Sequence, residues 1–389
     1  MVRPLDPKII TMNGDKKIRV LECIRQGKIG GGESHLLNLV EYLDKDRFEP
    51  VVLSFTQGPM IDRLQQMGVG TDVIYTEKPF DVTKWGKVKG LLKEKKVDLI
   101  HAHGTRAASN VLWAARSLGI PVVYTIHGWS FHPDQRTFLK RMRIAGEGYI
   151  TTRTAVNISV SEANQASGKQ NIRGFESVLV NYGIDQKKFS PSGVKKDVRA
   201  ELGIPRDTLL VLFIARFTKQ KQPLAMIRAF KEAQESVPGM HLLMVGDGEL
   251  KAEAVQLSTD LGLGDRISFQ TFRQDVPDVL AAADIFVLPS LWEGLPIGLL
   301  EAMAMGKAII ASDVDGTGEV LKHRENGLLI QTERLVPALT EALVQLGRDR
   351  DMQKKFQQRA IETISGRFNV TRMAREIEAI YNTVLNKPL

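Results

Sequence analysis

Short apolar runs alternate with helix-spaced apolar residues along almost the whole chain, and they do so in two successive rounds. In the first round, strand-like runs fall at Arg19 to Cys23, Pro50 to Phe55, Asp72 to Ile74, Asp98 to Ala102, Pro121 to Thr125, Ala155 to Val160 and Ser177 to Val180. The second begins at Thr208 with LLVLFIA and continues through HLLMVG, Ile267 to Phe269, Ile285 to Leu288 and Ala308 to Ala311, before three closing helices. Strands that alternate with helices require a parallel sheet whose crossover helices cover both faces. The turn-rich NYGIDQKKFSPSG separates the rounds, and 389 residues suit two domains better than one core. The chain is therefore read as α/β, with two doubly wound domains at 1–187 and 188–369. Ligands of open α/β sheets bind beyond the carboxyl ends of the strands, which places a site in the cleft between the two domains.

One stretch suggests what that cleft holds. DIFVLPSLWEGLPIGLLE, Asp284 to Glu301, reads as a buried strand, a loop with Glu293, Gly294 and Pro296, and an apolar helix with Pro296 at its first position. The free amides of such a helix start, here Leu295, Ile297, Gly298 and Leu299, and the positive end of its dipole suit phosphate. Glu293 and Glu301 flank the spot. Carboxylates repel phosphate and accept hydroxyl hydrogen bonds, so the ligand expected is a sugar nucleotide. A second glycine-rich turn, Gly30-Gly31-Gly32, stands where the first strand becomes a helix and allows close backbone approach to a ligand.

Composition narrows the setting. A single cysteine, Cys23, excludes an intramolecular disulfide and points to a reducing, cytoplasmic compartment. The N-terminal MVRPLDPKIITMNGDKK has no apolar segment of signal-peptide length, and no run is long enough to span a membrane. Of the formal charge of +8, residues 1–190 carry +9 (28 Lys+Arg against 19 Asp+Glu) and the remainder −1. That excess reads either as a solvated face or as a half that approaches an anionic surface. The basic residues lack the motifs of nucleic-acid readers, so anionic lipid at the inner face of the cell membrane is the partner expected and nucleic acid is not. Lys84 to Lys96 and Gln135 to Arg143 mix cations with apolar residues as an interfacial helix would.

Taken together, Gly31-Gly32-Glu33, HAHGTRAA, THGWSFHP, VSEAN, VNYGIDQKKFSP, FIARFTKQKQ, VGDGEL and EGLPIGLLEAMAMGKAIIASD resemble, in order, the motifs of the retaining glycosyltransferases of family 4, which share the GT-B fold of two Rossmann-like domains facing a central cleft. The chain departs from the family pattern at Tyr182, inserted between Asn181 and Gly183. The resemblance implies a first domain that presents the acceptor, joined by the last helix, 370–389, and a second that binds the nucleotide-sugar donor. It implies that Arg216 and Lys221 neutralise the diphosphate, Glu301 holds the ribose, Glu293 the transferred sugar, and His127 the reaction centre. Gly31, Gly32, Phe272, Gly294, Leu295, Ile297, Gly298 and Leu299 fall on the donor side, His103 and Arg106 on the acceptor side.

The activity so implied is retaining, metal-independent transfer of a sugar, from a UDP-sugar first and GDP-mannose next, to a hydroxyl of a glycan or glycolipid in polysaccharide or lipopolysaccharide assembly. No cofactor is expected, the nucleotide sugar being a substrate. An epimerase or phosphorylase on the same architecture, or a non-catalytic sugar-nucleotide sensor, stays open at this stage. His101, His103 and His127 invite a zinc reading, but no carboxylate or cysteine accompanies them at ligand spacing. Asp313-Val314-Asp315 matches the metal signature of another glycosyltransferase fold, and its place after a strand and before Gly316 reads instead as a loop and helix cap.

Overall fold

A computed structural model of the chain describes residues 16–27, 30–132 and 135–386. The N-terminal stretch read for an export signal lies almost wholly outside these, as do Lys28 and Ile29 of the glycine turn and the last three residues. Among the described residues no helix is long and apolar enough to cross a membrane.

Two parallel sheets form, one from each round of alternation. The first holds β1 (Ile18–Ile24), β2 (Phe48–Ser54), β3 (Gly70–Val73), β4 (Leu99–His103), β5 (Val122–Ile126), β6 (Val156–Ser159) and β7 (Val178–Leu179) in the order β3-β2-β1-β4-β5-β6-β7. The second holds β8 (Leu209–Ile214), β9 (Met240–Val245), β10 (Ile267–Gln270), β11 (Ile285–Leu288), β12 (Ala308–Ser312) and β13 (Leu328–Ile330) in the order β10-β9-β8-β11-β12-β13. Every pairing is parallel. Central strands such as VVYTI and IFVL are buried on both faces, as crossover helices on both sides require. β13 escapes sequence reading because three apolar residues after Asn326-Gly327 give no period to count.

In each sheet the chain reverses direction of winding beside the first strand: β1 lies between β2 and β4, and β8 between β9 and β11. Crevices open at such points. His103 ends β4, while Arg25, Arg216 and Glu293 follow β1, β8 and β11.

The chain passes twice between the lobes, and the passes touch. Ile184 N–H donates to the Phe368 carbonyl (2.7 Å), and a Cβ on Gly183 would lie 2.4 Å from Val370 Cα, so only glycine fits there. The helix Val370–Leu385 then packs Met373, Ala374, Ile377, Tyr381 and Val384 against Val20, Phe48, Leu99 and Val123 of the first sheet. Burying each large apolar side chain contributes roughly 1.5–3 kcal/mol, which clamps this helix to the first lobe.

The two basic segments fare differently. Lys84 to Lys96 is corrected: in the helix Val82–Glu94, Val88, Leu91 and Leu92 are spent on the first lobe's core, and Trp85 stacks on Trp113 (centroids 5.6 Å apart). In the helix Thr137–Thr151 only Glu147, Ile150 and Thr151 are buried, leaving Phe138 (76% exposed), Leu139 (42%) and Met142 (57%) open to solvent among Arg136, Lys140, Arg141 and Arg143.

Candidate active site

A cleft of about 2030 Å³ separates the lobes, and residues from both line it. All the donor-side, acceptor-side and catalytic residues implied by the resemblance reach it except Leu299. Leu299 is a correction: its side chain is fully buried in the second lobe's core, and its N–H already bonds the Pro296 carbonyl (3.1 Å). The helix runs Ile297–Ala304 with Pro296 at its cap, one residue later than expected, and because Leu299 N–H bonds back to Pro296, Ile297 and Gly298 carry the amides that face outward at its start.

The glycine turn and the helix Gly31–Tyr42 bring the first lobe against the second. A Cβ on Gly31 would meet Ile297 at 3.8 Å, and one on Gly32 would lie 3.4 Å from the His127 ring. The Glu293-Gly294 loop is gripped from both sides. A Cβ on Gly294 would fall 2.3 Å from the His127 carbonyl, and the Gly294 carbonyl accepts from Gly316 N–H (3.0 Å) and Ser161 Oγ (3.3 Å).

Charges converge on the same space. Lys221 Nζ pairs with Glu293 Oε1, and Gln220 fastens this turn through its carbonyl to Leu291 N–H and its amide to the Trp292 carbonyl. Glu293 N–H donates to Asp315 (3.1 Å), whereas Asp313 accepts from Gln331 (3.3 Å). The two carboxylates of the Asp-x-Asp thus serve different partners. The expectation of a helix cap is corrected too, because the short helix Thr317–Val320 is capped by Gly316 without a side-chain bond.

Arg216 projects into the cleft, where enclosure and then the neighbouring Arg25 lower its pKa, against the pull of Glu33 and Glu293. Arg25, 4.0 Å from Glu33, was not singled out from the sequence; its place one residue beyond β1 is the signal that could have found it. Burial raises the Glu33 carboxyl despite Arg25 and Arg216. Glu301 is pushed up to about 7 by burial, with Lys188 from the interlobe segment pulling the other way. Phe272 is 45% exposed on the cleft wall, and its loop is locked by Arg273, whose guanidinium forks onto Glu201 and Asp275.

Behind His127 runs a buried chain of polar groups. Burial would raise Glu22, but hydrogen bonds and attraction from His101 and His103 outweigh it and hold the carboxyl well below the usual range. Ionised Glu22 accepts from Tyr381 Oη (2.8 Å) and His103 Nε2 (2.8 Å). His103 is held down at about 4 by burial and is neutral, so Nδ1, opposite the donating Nε2–H, is an acceptor. It receives the Nε2–H of His127 (3.1 Å), whose Nδ1 in turn accepts from Tyr182 Oη (2.6 Å). The inserted Tyr182 thus ends a chain that sets one tautomer throughout. With both nitrogens engaged, the His127 ring offers no free polar atom to a sugar hydroxyl, contrary to expectation. What His127 turns to the other lobe is its backbone carbonyl.

The absence of a carboxylate beside the histidines is likewise corrected, since folding puts Glu22 between His101 and His103. Ligand atoms of Glu22, His101 and His103, and of His35, His103 and His127, lie within 4.8 Å of one another. For His103 and His127 the ring centroids are 5.3 Å apart, with planes 19° from parallel and nitrogens 3.1 Å apart. The nitrogens therefore point head to head, as in N–H···N, whereas a shared metal needs both lone pairs to converge on an ion about 2.0–2.1 Å from each.

Comparison with known proteins agrees with this arrangement. The family model for glycosyl transferases group 1 matches residues 194–363, and that for glycosyltransferase family 4 matches 29–187. The chain belongs to the family 4 glycosyltransferases. A relative from Escherichia coli, UDP-Gal:alpha-D-GlcNAc-diphosphoundecaprenol alpha-1,3-galactosyltransferase, is 28% identical over 95% of this chain and 98% of its own length. The putative teichuronic acid biosynthesis glycosyltransferase TuaC of Bacillus subtilis is 29% identical over 74% of this chain and 71% of its own. Among solved structures, Anabaena Alr3699/HepE in complex with UDP and glucose superposes with a TM-score of 0.82 at 24% identity, over 94% of this glycosyltransferase and 100% of that chain. WaaG, a glycosyltransferase involved in lipopolysaccharide biosynthesis, superposes at 0.74 with 16% identity, over 93% and 99%. At these identities the superpositions speak to the GT-B fold.

Proposed function

We propose that this glycosyltransferase moves a sugar from a UDP-sugar to a hydroxyl of a lipid-linked glycan acceptor, with retention of anomeric configuration and without a metal, in polysaccharide or lipopolysaccharide assembly. The observation that carries the reading is the convergence, at the switch points of two facing sheets, of Arg216, Lys221, Arg25 and the outward amides of the helix Ile297–Ala304 on one cleft. Three cations and a helix start neutralise a diphosphate and stabilise the charge that grows on it as it leaves. Glu301 accepts the ribose hydroxyls, and Phe272 offers an aromatic face to the base. Lys221 turns from Glu293 to phosphate when donor binds, which frees that carboxylate for the sugar hydroxyls.

Gly31 and Gly32 let the first lobe close on the donor, while His103 and Arg106 line the acceptor side. His127 acts as a positioning residue: its ring is held by His103 and Tyr182, and its carbonyl by contact with Gly294. Retention without a carboxylate nucleophile follows if the departing diphosphate remains on the face of attack and takes the acceptor's proton. A UDP donor is favoured because the E. coli relative is named for one and the Anabaena structure holds UDP. The lipid-linked acceptor is favoured by that relative's name, and the cations around Phe138, Leu139 and Met142 suit peripheral contact with an anionic membrane.

A thermal-shift panel of UDP, GDP and ADP tests the donor, because a ligand of the folded state alone raises Tm. UDP should give the largest rise. A larger rise with GDP would redirect the reading to GDP-mannose.

A further inference from the structure

A second hollow adjoins the central cleft. A groove of about 300 Å³ runs over the first lobe between the helices Val82–Glu94, Thr105–Leu118 and Thr137–Thr151, and its wall is almost entirely apolar. Phe80 and Gly146 line both groove and cleft and form the sill between the two spaces. Beyond them Trp85 and Trp113 stack with planes 16° apart, and Tyr149 meets Phe80 edge-on at 6.0 Å. Trp113 (44% exposed) and Tyr149 (46%) form its outer rim, with Lys89 Nζ 5.4 Å from the Trp113 ring and the Arg153 guanidinium 4.0 Å over the Tyr149 ring. On the cleft side of the same junction stand the cations Arg106 and Arg143.

The junction is built at a cost to the backbone. Phe80 adopts φ of +53°, a conformation disfavoured for a bulky residue and maintained only where surroundings impose it. Here they do: Phe80 N–H donates to Ser109 Oγ (3.1 Å), while Asn110 accepts from Asp81 N–H (2.8 Å) and donates to the Lys78 carbonyl (2.9 Å). Across from it Gly146 lies inside a helix, where glycine is unfavourable, and a Cβ there would lie 3.6 Å from the Phe80 ring. A strained aromatic packed against a helical glycine keeps this sill low, and a larger residue at 146 would raise it.

We propose that this groove holds the hydrocarbon chain of the acceptor, with its phosphates at Arg106 and Arg143 and its sugar in the cleft. The order along the surface, aromatic groove, then cations, then sugar cleft, matches the order of parts in a lipid diphosphate saccharide. The groove's volume admits a short length of chain next to the diphosphate, and the rest continues outward past Trp113 and Tyr149 to the lipid phase. The inference rests on the lipid-linked acceptor proposed above.

The experiment compares two acceptors that carry the same N-acetylglucosamine diphosphate, one on a long isoprenoid and one on a short water-soluble alkyl chain. Turnover is followed with the UDP-sugar the enzyme accepts, in wild type, Trp113→Ala and Gly146→Leu, with the UDP-induced rise in Tm as a check on folding. Wild type should favour the long chain at least tenfold in kcat/KM, mainly through KM, and each variant should cut that ratio at least fivefold. Equal losses on both acceptors, or no wild-type preference, would overturn the groove. So would a parallel loss of binding to anionic vesicles without acceptor, which would make it a membrane contact instead. If neither acceptor is glycosylated, the proposed function fails by itself. The groove is then judged by an isoprenoid diphosphate without sugar: saturable quenching of tryptophan fluorescence, abolished by Gly146→Leu, supports it, and no saturable quenching overturns it.

Discussion

Donor affinity should fall steeply with acid, through one carboxyl. Glu301 sits on an otherwise apolar helix, and burial pushes its pKa up to about 7. The ribose hydroxyls donate to the carboxylate form, so binding selects ionised Glu301 and releases a proton from the fraction still protonated. A pKa raised in the free protein and lowered by the ligand makes affinity rise with pH through the raised value. With a pKa near 7, about one molecule in eleven is ionised at pH 6 and about ten in eleven at pH 8, so the dissociation constant of a UDP-sugar should rise about tenfold from pH 8 to pH 6. Calorimetry in buffers of different ionisation enthalpy should show release of about half a proton at pH 7. A UDP-sugar is the right ligand because its diphosphate diester does not titrate in this range. His35, His103 and His127 do not interfere: His103 lies at about 4, and burial lowers His35 and His127 well below their usual value. Glu301→Gln should bind more weakly and lose the pH slope. A flat wild-type profile between pH 6 and 8, or a slope that survives in Glu301→Gln, would refute the reasoning.

Arg216→Ala should lower kcat/KM by about a hundredfold or more, the scale of one charge-stabilising group, and near-normal turnover would remove Arg216 from the mechanism. Nitrogen-15 NMR should find His103 and His127 both as Nε2–H tautomers at neutral pH. Tyr182→Phe, which strips the donor from His127 Nδ1, should destabilise the fold by about 1–3 kcal/mol in denaturant unfolding, whereas unchanged stability would mean that the Tyr182 bond is absent in solution. Gly183→Ala should cost more still, because its Cβ meets backbone at 2.4 Å, and a Tm within a degree of wild type would show that the two interlobe passes are looser than described.

How much of this was legible in the sequence follows from what each signal depends on. Strands and their order of winding came through because apolar runs buried on both faces stand out by themselves, as in LLVLFI and IFVL. The cleft residues were found through position at strand ends: Arg216, Glu293 and His127 all sit where a parallel sheet opens. What stayed hidden depends on contacts between distant segments. Nothing near Glu22 announces that folding will bring it to His103, 81 residues on, or to Tyr381, 359 residues on. The partners of Asp315 and of both His127 nitrogens also lie in other segments, 22, 24 and 55 residues away, which is why a cap and a sugar contact were expected where the structure has other bonds. Leu299 shows a different limit. A tight first turn, in which Leu299 N–H bonds back to Pro296, engages an amide that a regular helix start would leave free, and such end geometry is not sharp in sequence. Lys84 to Lys96 failed as a membrane face because amphipathicity alone does not say whether the apolar side meets lipid or a core.

The central claim is a retaining transfer carried by charge stabilisation and orientation, with no enzyme nucleophile. Proton NMR of the product first formed from an α-configured UDP-sugar and a lipid-diphosphate acceptor tests it most directly. The account predicts an α-linkage, read from the small anomeric coupling. A β-linked first product would contradict it.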